Sequence, residues 1–186
     1  MPASRPGPEI LLRLGKVGKF YGERPVLRGI EVEVRAAEVL LVVGKNGAGK
    51  STLLRIMAGL ARPEPGHVEH FAEPGQAAFL GHRPFVYPRL TADANLAFWS
   101  RMHGRNLDRQ GRMALLSRVG LADFADEPAG VFSRGMTQRL DLARVFAQAP
   151  SLLFLDEPAS GLDAGSAALL RREIAALRSA GAGVVM

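Results

Sequence analysis

The segment "EVLLVVGKNGAGKSTLLRIM", residues 38–57, joins three kinds of sequence. Its first part, "EVLLVV" (38–43), is an unbroken apolar run, which predicts a β-strand buried on both faces. Its last part places apolar residues at helical spacing, from Leu53 to Met57. A glycine-rich loop lies between them. A buried strand, a glycine-rich loop and a helix in this order predict a parallel α/β core with an anionic ligand at the start of the helix.

The loop itself fits a phosphate-binding pattern, in which a glycine is followed by four residues and then Gly-Lys-Ser or Gly-Lys-Thr. Glycines allow successive backbone N–H groups to turn towards phosphate oxygens. Lys50 can reach the β- and γ-phosphates, and Ser51 can offer its hydroxyl to Mg²⁺. The predicted site comprises Gly44, Lys45, Asn46, Gly47, Ala48, Gly49, Lys50, Ser51 and Thr52. A simple glycine-rich turn with an exposed lysine is the alternative, which the flanking strand and helix disfavour.

A second strand supplies acidic groups. The stretch "LLFLDE", residues 152–157, is another buried apolar run, and it ends in Asp156 and Glu157. Open parallel sheets bind ligands at the carboxyl ends of their strands. We therefore expect Asp156 to hold Mg²⁺ together with Ser51, and Glu157 to orient and deprotonate an attacking water molecule. The alternative is that both acids only cap the next turn.

Strands and helices alternate along the rest of the chain, which predicts an α/β fold. We expect strands at 10–17, 29–34, 38–43, 77–81 and 152–156, another after the turn at 62–68, a last one beginning at 183, and helices after 50, within 92–119, from 132 to about 147, and at 164–178. The chain is predicted to be a single domain. Its parts are a disordered tail (1–9), a β subdomain with the first part of the core (10–82), a helical insertion (83–131) and the remaining core (132–186).

The composition excludes several classes of protein. The 186 residues are 47% hydrophobic, which is enough for one sizeable core. No cysteine is present, so disulfide scaffolds and thiolate metal sites are excluded, and the four histidines lack the clustered partners of a zinc site. The longest aliphatic run has five residues, and the N-terminus lacks the apolar region of a signal peptide. We therefore expect no membrane-spanning segment and a cytoplasmic protein.

Five motifs in a fixed order make the chain resemble the ATPase subunits of ABC transporters over nearly its whole length. They are Tyr21 in "KFYGERPVL", the loop "GKNGAGKST" (44–52), "FSRGMTQRL" (132–140), "LLFLDEP" (152–158) and "SGLD" (160–163). In that family they are the aromatic residue that stacks on adenine, the Walker A loop, the signature motif, the Walker B strand and the D-loop. Lys45 stands where the family usually has proline. The resemblance implies a P-loop NTPase fold, with a RecA-like ABC ATPase core, an N-terminal antiparallel β subdomain and an inserted α-helical subdomain. It also implies binding of ATP with Mg²⁺ and ATP hydrolysis.

The signature motif implies that two chains act together. Ser133 and the backbone N–H of Gly135 stand at the start of a helix, which favours an anion. In the family this site closes on the γ-phosphate of ATP held by a second subunit, and Asp163 of the D-loop belongs to the same set of nucleotide-binding residues. Arg134 and Met136 replace a commoner glycine and glutamine. We expect the motif to tolerate this, because the contact depends mainly on the serine hydroxyl and the backbone. An ordinary N-capped helix is the alternative.

The resemblance further implies a homodimer bound to integral membrane permease subunits at the cytoplasmic face of the inner membrane. A chain with a net charge of +6 can bind nucleic acid, acidic lipid headgroups or phosphate ligands. We expect no direct nucleic-acid contact, because the chain has neither a second ATPase unit nor aromatic residues for stacking on RNA bases. Five arginines lie between Arg101 and Arg118 with one acid, Asp108. They form either a solvated helical face or a contact with a membrane subunit or anionic lipid.

His82, in "FLGHRPFVYPRLT" (79–91), is open to three interpretations: a metal or catalytic site, an incidental surface turn, or a coupling loop. In the family this stretch corresponds to the Q-loop, which contacts the membrane subunit and normally carries glutamine where His82 stands. His82 is therefore expected at the pivot of a coupling loop, with a supporting catalytic role beside the γ-phosphate. The stretch "LGHRP" with "LTADANLAFWSRMHG" resembles the haem-exporter ATP-binding subunits of cytochrome c maturation. A generic ABC exporter of a drug, lipid or ion is the alternative.

The last residues differ from the family pattern. After "GVVM" (183–186) the family continues to a switch histidine that contacts the γ-phosphate, and no histidine of this chain occupies that place. We therefore expect a fragment or truncated product that binds ATP but hydrolyses it weakly.

Overall fold

The computed structural model of the protein describes residues 9–73, 75–160 and 163–186. These residues divide into two compact units. The first contains the residues up to Phe79, Ser151–Asp156 and Ile174–Met186, and the second contains Leu80–Pro150 and Glu157–Glu173. Residues 1–8 of the predicted tail lie outside the described residues, as do Gly161 and Leu162 of "SGLD".

The elements follow the predicted alternation. The strands are β1 (Ile10–Tyr21), β2 (Arg24–Arg35), β3 (Val39–Leu40), β4 (His67–His70), β5 (Ala77–Leu80), β6 (Leu152–Leu155) and β7 (Gly183–Val185). The α-helices are α1 (Lys50–Met57), α2 (Ala92–Met102), α3 (Arg109–Arg118), α4 (Arg134–Ala147) and α5 (Ala164–Ser179), and single 3₁₀ turns occur at Ala122–Phe124 and Ala129–Val131.

An antiparallel sheet in the first unit has the strand order β2-β1-β4. Its first two strands are longer than predicted, because a two-residue loop closes a hairpin in which Tyr21 pairs with Arg24. Gly22 in this loop has a φ of 60°, a conformation that glycine adopts at little cost. A shift of register between Leu14 and Val17 lets β1 continue past Gly15 without a break.

A second sheet has the order β3-β7-β6-β5, with β7 parallel to both β3 and β6. All four residues of β6 are completely buried, as expected for a strand covered on both faces. Leu12, Ile56, Met57 and Phe154 are among the side chains that fill the core of the first unit. A parallel sheet, an antiparallel sheet and a helical segment confirm the predicted α/β fold class.

The prediction for residues 38–43 was wrong in one respect. Only Val39–Leu40 form strand β3, and Leu41 and Val43 are 61% and 85% exposed. The reason is the position of β3 at the edge of its sheet, where β7 is its neighbour. The pairing ends where the N–H of Val42 donates to the carbonyl oxygen of Met186 at 2.6 Å. Residues 41–43 are consequently not buried on both faces.

The second unit is mainly helical. Side-chain caps begin three of its helices: Thr91 accepts from Ala94 N–H before α2, Asp108 from Gly111 N–H before α3, and Ser133 from Met136 N–H before α4. Fully buried leucines, including those of α2, α3 and α4, form its core: Leu96, Leu116, Leu121 and Leu140. Among the described residues, no helix is long and apolar enough to cross a membrane.

Candidate functional site

The phosphate loop lies between β3 and α1 and depends on its glycines. Gly47 and Gly49 have φ angles of 79° and 95°, in the left-handed region that favours glycine. A Cβ atom on Gly49 would lie 2.8 Å from Val26 Cγ1, so no larger residue fits between the loop and β2. Gly49 is also the residue before α1, so the loop leads directly into the helix N-terminus. This is the backbone geometry that a phosphate-binding loop requires.

Lys50 begins α1 and its side chain turns back across the loop. Its Nζ donates to the carbonyl oxygens of Gly44 at 2.8 Å and Lys45 at 3.2 Å. The backbone carbonyl groups of the loop therefore hold the ammonium group in place. An ammonium group in this position can bind phosphate oxygens through its three donors.

Ser51 and Asp156 are 105 residues apart in sequence and adjacent in the structure. Ser51 Oγ donates to Asp156 Oδ1 at 2.8 Å. Burial of β6 brings Asp156 to this place, and only 4% of the residue is exposed. A hydroxyl and a carboxylate are oxygen donors of the kind that Mg²⁺ prefers, so this pair fits the ion. The structure brings together these two predicted ligands, and their roles remain predictions.

Glu157 follows Asp156 directly but has a different environment. Its side chain is exposed and its φ is 52°, a left-handed conformation that is uncommon for residues other than glycine. Its carbonyl oxygen accepts the N–H of Ser160 at 3.0 Å, which closes a turn after the strand. Strained conformations of this kind are concentrated at functional sites. The backbone therefore turns sharply between the buried and the exposed carboxylate.

Two further predicted residues are exposed at the ends of strands. Tyr21 is the last residue of β1, is 57% exposed, and has Lys19 Nζ 5.9 Å from its ring centroid. Its hairpin is the one that contacts the phosphate loop through Val26. His82 comes two residues after β5 and is exposed. An exposed aromatic ring is available for stacking on a base, and an exposed imidazole for hydrogen bonding.

The signature motif and Asp163 lie close together in the second unit. Ser133 Oγ accepts the N–H of Met136 at 3.3 Å at the start of α4. A Cβ atom on Gly135 would lie 4.0 Å from Asp163 Oδ2. Further along α4, Gln138 Nε2 donates to the carbonyl oxygen of Pro158 at 3.3 Å. Helix α4 is therefore linked to the segments that follow Asp156 and precede α5.

Asp163 is itself a cap. Its Oδ1 accepts the N–H of Ser166 at 2.7 Å in the first turn of α5. The pKa of Asp163 is lowered, first by this backbone hydrogen bond, then by the Ser166 side chain, with a smaller contribution from Arg139. The carboxylate is consequently ionised in the folded protein at neutral pH.

Sequence reasoning missed a buried ion pair on α4. Asp141 Oδ1 accepts from Arg144 Nε at 2.6 Å and from the backbone N–H of Phe85 at 3.2 Å. The Arg144 guanidinium lies 5.4 Å from the Phe85 ring centroid and 5.3 Å from that of Trp99. The pair thus fixes the segment after His82 to the helix that begins with the signature motif. The only signal in the sequence was an aspartate three residues before an arginine within the otherwise apolar stretch 140–147.

The comparisons with known proteins agree with this geometry. The family model described as "ABC transporter" matches residues 27–160. The cytochrome c biogenesis ATP-binding export protein CcmA of Paramagnetospirillum magneticum is 39% identical over 176 residues, which cover 89% of this chain and 81% of that protein. The protein of the same name from Salmonella typhi is 38% identical over 173 residues, which cover 88% of this chain and 82% of that protein.

Solved structures give the same result. An ATP-binding subunit of an ABC transporter superposes with a TM-score of 0.85 at 26% identity, over 94% of this chain and 78% of that one. A nucleotide-free ATP-binding cassette from an ABC transporter has a TM-score of 0.76 at 22% identity, over 95% and 80%, and shows the shared fold. The predicted resemblance is confirmed, and the chain belongs to the ABC transporter family as an ATP-binding subunit.

Proposed function

We propose that this chain binds ATP with Mg²⁺, hydrolyses the ATP, and thereby energises a transporter that serves cytochrome c biogenesis. The observation that carries the nucleotide part is the contact between Ser51 and Asp156 at 2.8 Å beside the glycine loop. Relatives named for ATP-binding export in cytochrome c biogenesis, at 36% to 39% identity over most of the chain, support the transport part.

In this proposal each residue acts on the triphosphate. The loop N–H groups and Lys50 hold the β- and γ-phosphates, and Ser51 with Asp156 would hold Mg²⁺, which when bound neutralises phosphate charge. Glu157 accepts a proton from water as the water oxygen attacks the γ-phosphorus, and the bond from that phosphorus to the β–γ bridging oxygen breaks. The products are ADP and phosphate. Tyr21 stacks on the adenine ring.

The same proposal includes a second copy of the chain. The Ser133 hydroxyl and the Gly135 N–H are available at the start of α4, and they would bind the γ-phosphate of ATP held by the partner. ATP binding would then close a homodimer, and hydrolysis would open it. We therefore expect dimerisation to depend on ATP and to be strongest when hydrolysis is blocked.

We also propose that the chain binds an integral membrane permease at the cytoplasmic face of the inner membrane. Support comes from the exposed loop that begins at His82, where Phe85 is 48% exposed and is fixed to α4 through Asp141. Substitution His82→Gln should preserve ATP binding. A change in the ratio of transport to hydrolysis in this variant would assign the imidazole to coupling.

Glu157→Gln tests the hydrolytic role. The amide keeps the size of the side chain but cannot accept the proton, so ATP binding should persist while turnover falls by about 100-fold or more. Binding is measured by equilibrium titration and turnover by phosphate release. A matched control is Glu23→Gln, which removes the same charge from an exposed residue of the hairpin. Unchanged turnover of Glu157→Gln would refute the assignment.

The proposed role in cytochrome c biogenesis is tested by identifying the proteins that bind this chain. Co-purification of the protein from membranes, followed by identification of the bound subunits, should recover a permease together with components of cytochrome c assembly. Recovery of an unrelated exporter permease would retain the ATPase proposal and reject the cytochrome c branch.

A further inference from the structure

Lys19 is a charged residue of β1 that lies beside the ring proposed to stack on adenine. Its Nζ atom is 5.9 Å from the centroid of the Tyr21 ring, within the range of a cation–π contact. Only 13% of the Lys19 side chain is exposed, whereas 57% of Tyr21 is. An ammonium group on a side chain packed this closely against the protein needs partners that replace water.

Glu64 is the charged partner of Lys19. Lys19 Nζ donates to Glu64 Oε1 at 3.0 Å, although the two residues are 45 positions apart in sequence. Glu64 lies between α1 and β4, and its side chain is 64% exposed. An ion pair with one partner this exposed contributes little to stability by itself. Its effect is geometric, because the ammonium group contacts a carboxylate and an aromatic ring at the same time.

The backbone holds Glu64 in place independently of this ion pair. The N–H of Glu64 donates to the carbonyl oxygen of Gly18 at 2.7 Å, and the N–H of Gly18 donates to the carbonyl oxygen of Pro65 at 2.7 Å. A Cβ atom on Gly18 would lie 2.8 Å from Pro65 Cδ, so the close approach of the two segments requires glycine. The segment that carries Glu64 is therefore attached to the strand that carries Lys19 and Tyr21.

Restraint of the Tyr21 ring matters for nucleotide binding. An exposed aromatic side chain that rotates freely loses this freedom when it stacks on a base, and the loss weakens binding. A cation held at the ring reduces the loss, because it restrains the ring before the ligand arrives. We propose that Lys19, held by Glu64, is a positioning residue that orients the Tyr21 ring for stacking on the base of ATP. This inference rests on the proposed function and adds a residue to its nucleotide site.

Lys19→Met tests the proposal, because it keeps an unbranched side chain of similar length and removes the charge. It should weaken ATP binding about two- to fivefold, the size expected for a cation–π contact at an exposed site. Binding of inorganic tripolyphosphate, which has the phosphates of ATP and no base, should not change. Glu64→Gln should weaken ATP binding by a smaller factor, because the amide oxygen can still accept from the ammonium group. Calorimetric titration of the full chain with each ligand measures both affinities.

Two further variants show whether Lys19 acts through the ring. Lys16→Met removes the same charge from an exposed residue of β1 and should leave both affinities unchanged. Tyr21→Leu removes the ring, and in that background Lys19→Met should have no further effect on ATP binding, because the two residues act through one contact.

Three results would overturn the role of Lys19. The first is an unchanged affinity of Lys19→Met for ATP. The second is an equal loss of affinity for ATP and tripolyphosphate, which would assign Lys19 to phosphate attraction or to folding. The third is an undiminished effect of Lys19→Met in the Tyr21→Leu background, which would mean that Lys19 contacts the nucleotide itself. ATP binding by the natural protein would keep the proposed function intact in all three cases, whereas its failure to bind either ligand would reject that function and this inference together.

Discussion

In the phosphate loop, the left-handed glycines Gly47 and Gly49 set the backbone, and Ser51 in the first turn of α1 meets Asp156 from the end of β6. In the second unit, by contrast, Asp141 on α4 holds the backbone of Phe85, 56 residues earlier, and Arg144 covers two aromatic rings. We propose that the loop places its polar side chains to meet a ligand. The second unit buries charged side chains in contact with one another, so their mutual attraction must balance the cost of removing them from water. Substitutions should therefore affect ligand binding in the loop and folding in the helical unit.

Asp141→Ala should give the largest effect on stability. It removes the carboxylate that contacts the buried Arg144 guanidinium, and breaking a buried pair from one side costs about 3–5 kcal/mol. Urea unfolding followed by circular dichroism measures the change. The matched control is Asp126→Ala, which breaks the exposed pair with Arg109 and should cost less than about 1 kcal/mol.

A double substitution sharpens this result. Asp141→Leu with Arg144→Met replaces both charges by apolar groups and should recover much of the stability, because buried ion pairs are often replaceable by apolar residues. Failure of the double variant to exceed Asp141→Ala would show that the contact with Phe85, rather than the charge balance, dominates.

Lys50→Ala should give the next largest effect, on ligand affinity and not on folding. Loss of its charge-assisted hydrogen bonds to phosphate corresponds to about 1.5–3 kcal/mol, or roughly 10- to 100-fold weaker ATP binding. Calorimetric titration measures affinity, and the free energy of unfolding should change by less than about 1 kcal/mol. Arg62→Ala, at an exposed cation outside the loop, is the control. Tight ATP binding by Lys50→Ala would contradict the assigned phosphate site.

Substitution of Ser133 tests whether one residue contributes both to folding and to ligand binding. As the cap of α4, its replacement by alanine should cost about 1 kcal/mol of stability, whereas replacement by glycine should cost only a few tenths. Both variants lose the hydroxyl proposed to bind ATP on the partner chain. Ser133→Gly should therefore keep its unfolding midpoint and lose ATP-dependent dimerisation. Retained dimerisation in Ser133→Gly would limit Ser133 to capping.

The elements that the sequence predicted best are those specified by neighbouring residues. The phosphate loop, α4 after Ser133, and β6 were all predicted within a few residues, because glycine spacing, a capping serine and an apolar run act locally. The contact of Ser51 with Asp156 was also expected, because parallel strands bring their carboxyl ends to one edge of the sheet.

The elements that it missed depend on distant residues. Strand β3 is shorter than its apolar run because β3 lies at the edge of its sheet and pairs with β7 over Val39–Leu40. The arginine run gave no indication that Arg112 and Arg118 would meet Asp93 and Glu173, since ion pairing across helices is absent from local patterns. The link from Asp141 to Phe85 was missed for the same reason.

Asp163 should give the smallest effect, visible only in acid. Its folded-state pKa lies below the ordinary value of 3.8, so the stability it contributes is fully present above pH 3.8 and is lost as the pH falls through the folded-state pKa. Asp163→Asn can still accept the N–H of Ser166 but does not titrate. Urea midpoints measured from about pH 6 down to about pH 3 should therefore fall more steeply for the natural protein than for Asp163→Asn, and the two curves should converge towards acid. Parallel curves would mean that the hydrogen bond is as strong to the protonated carboxyl group. In that case the charge of Asp163, like the charges of the phosphate loop, would matter for ligand binding rather than for folding.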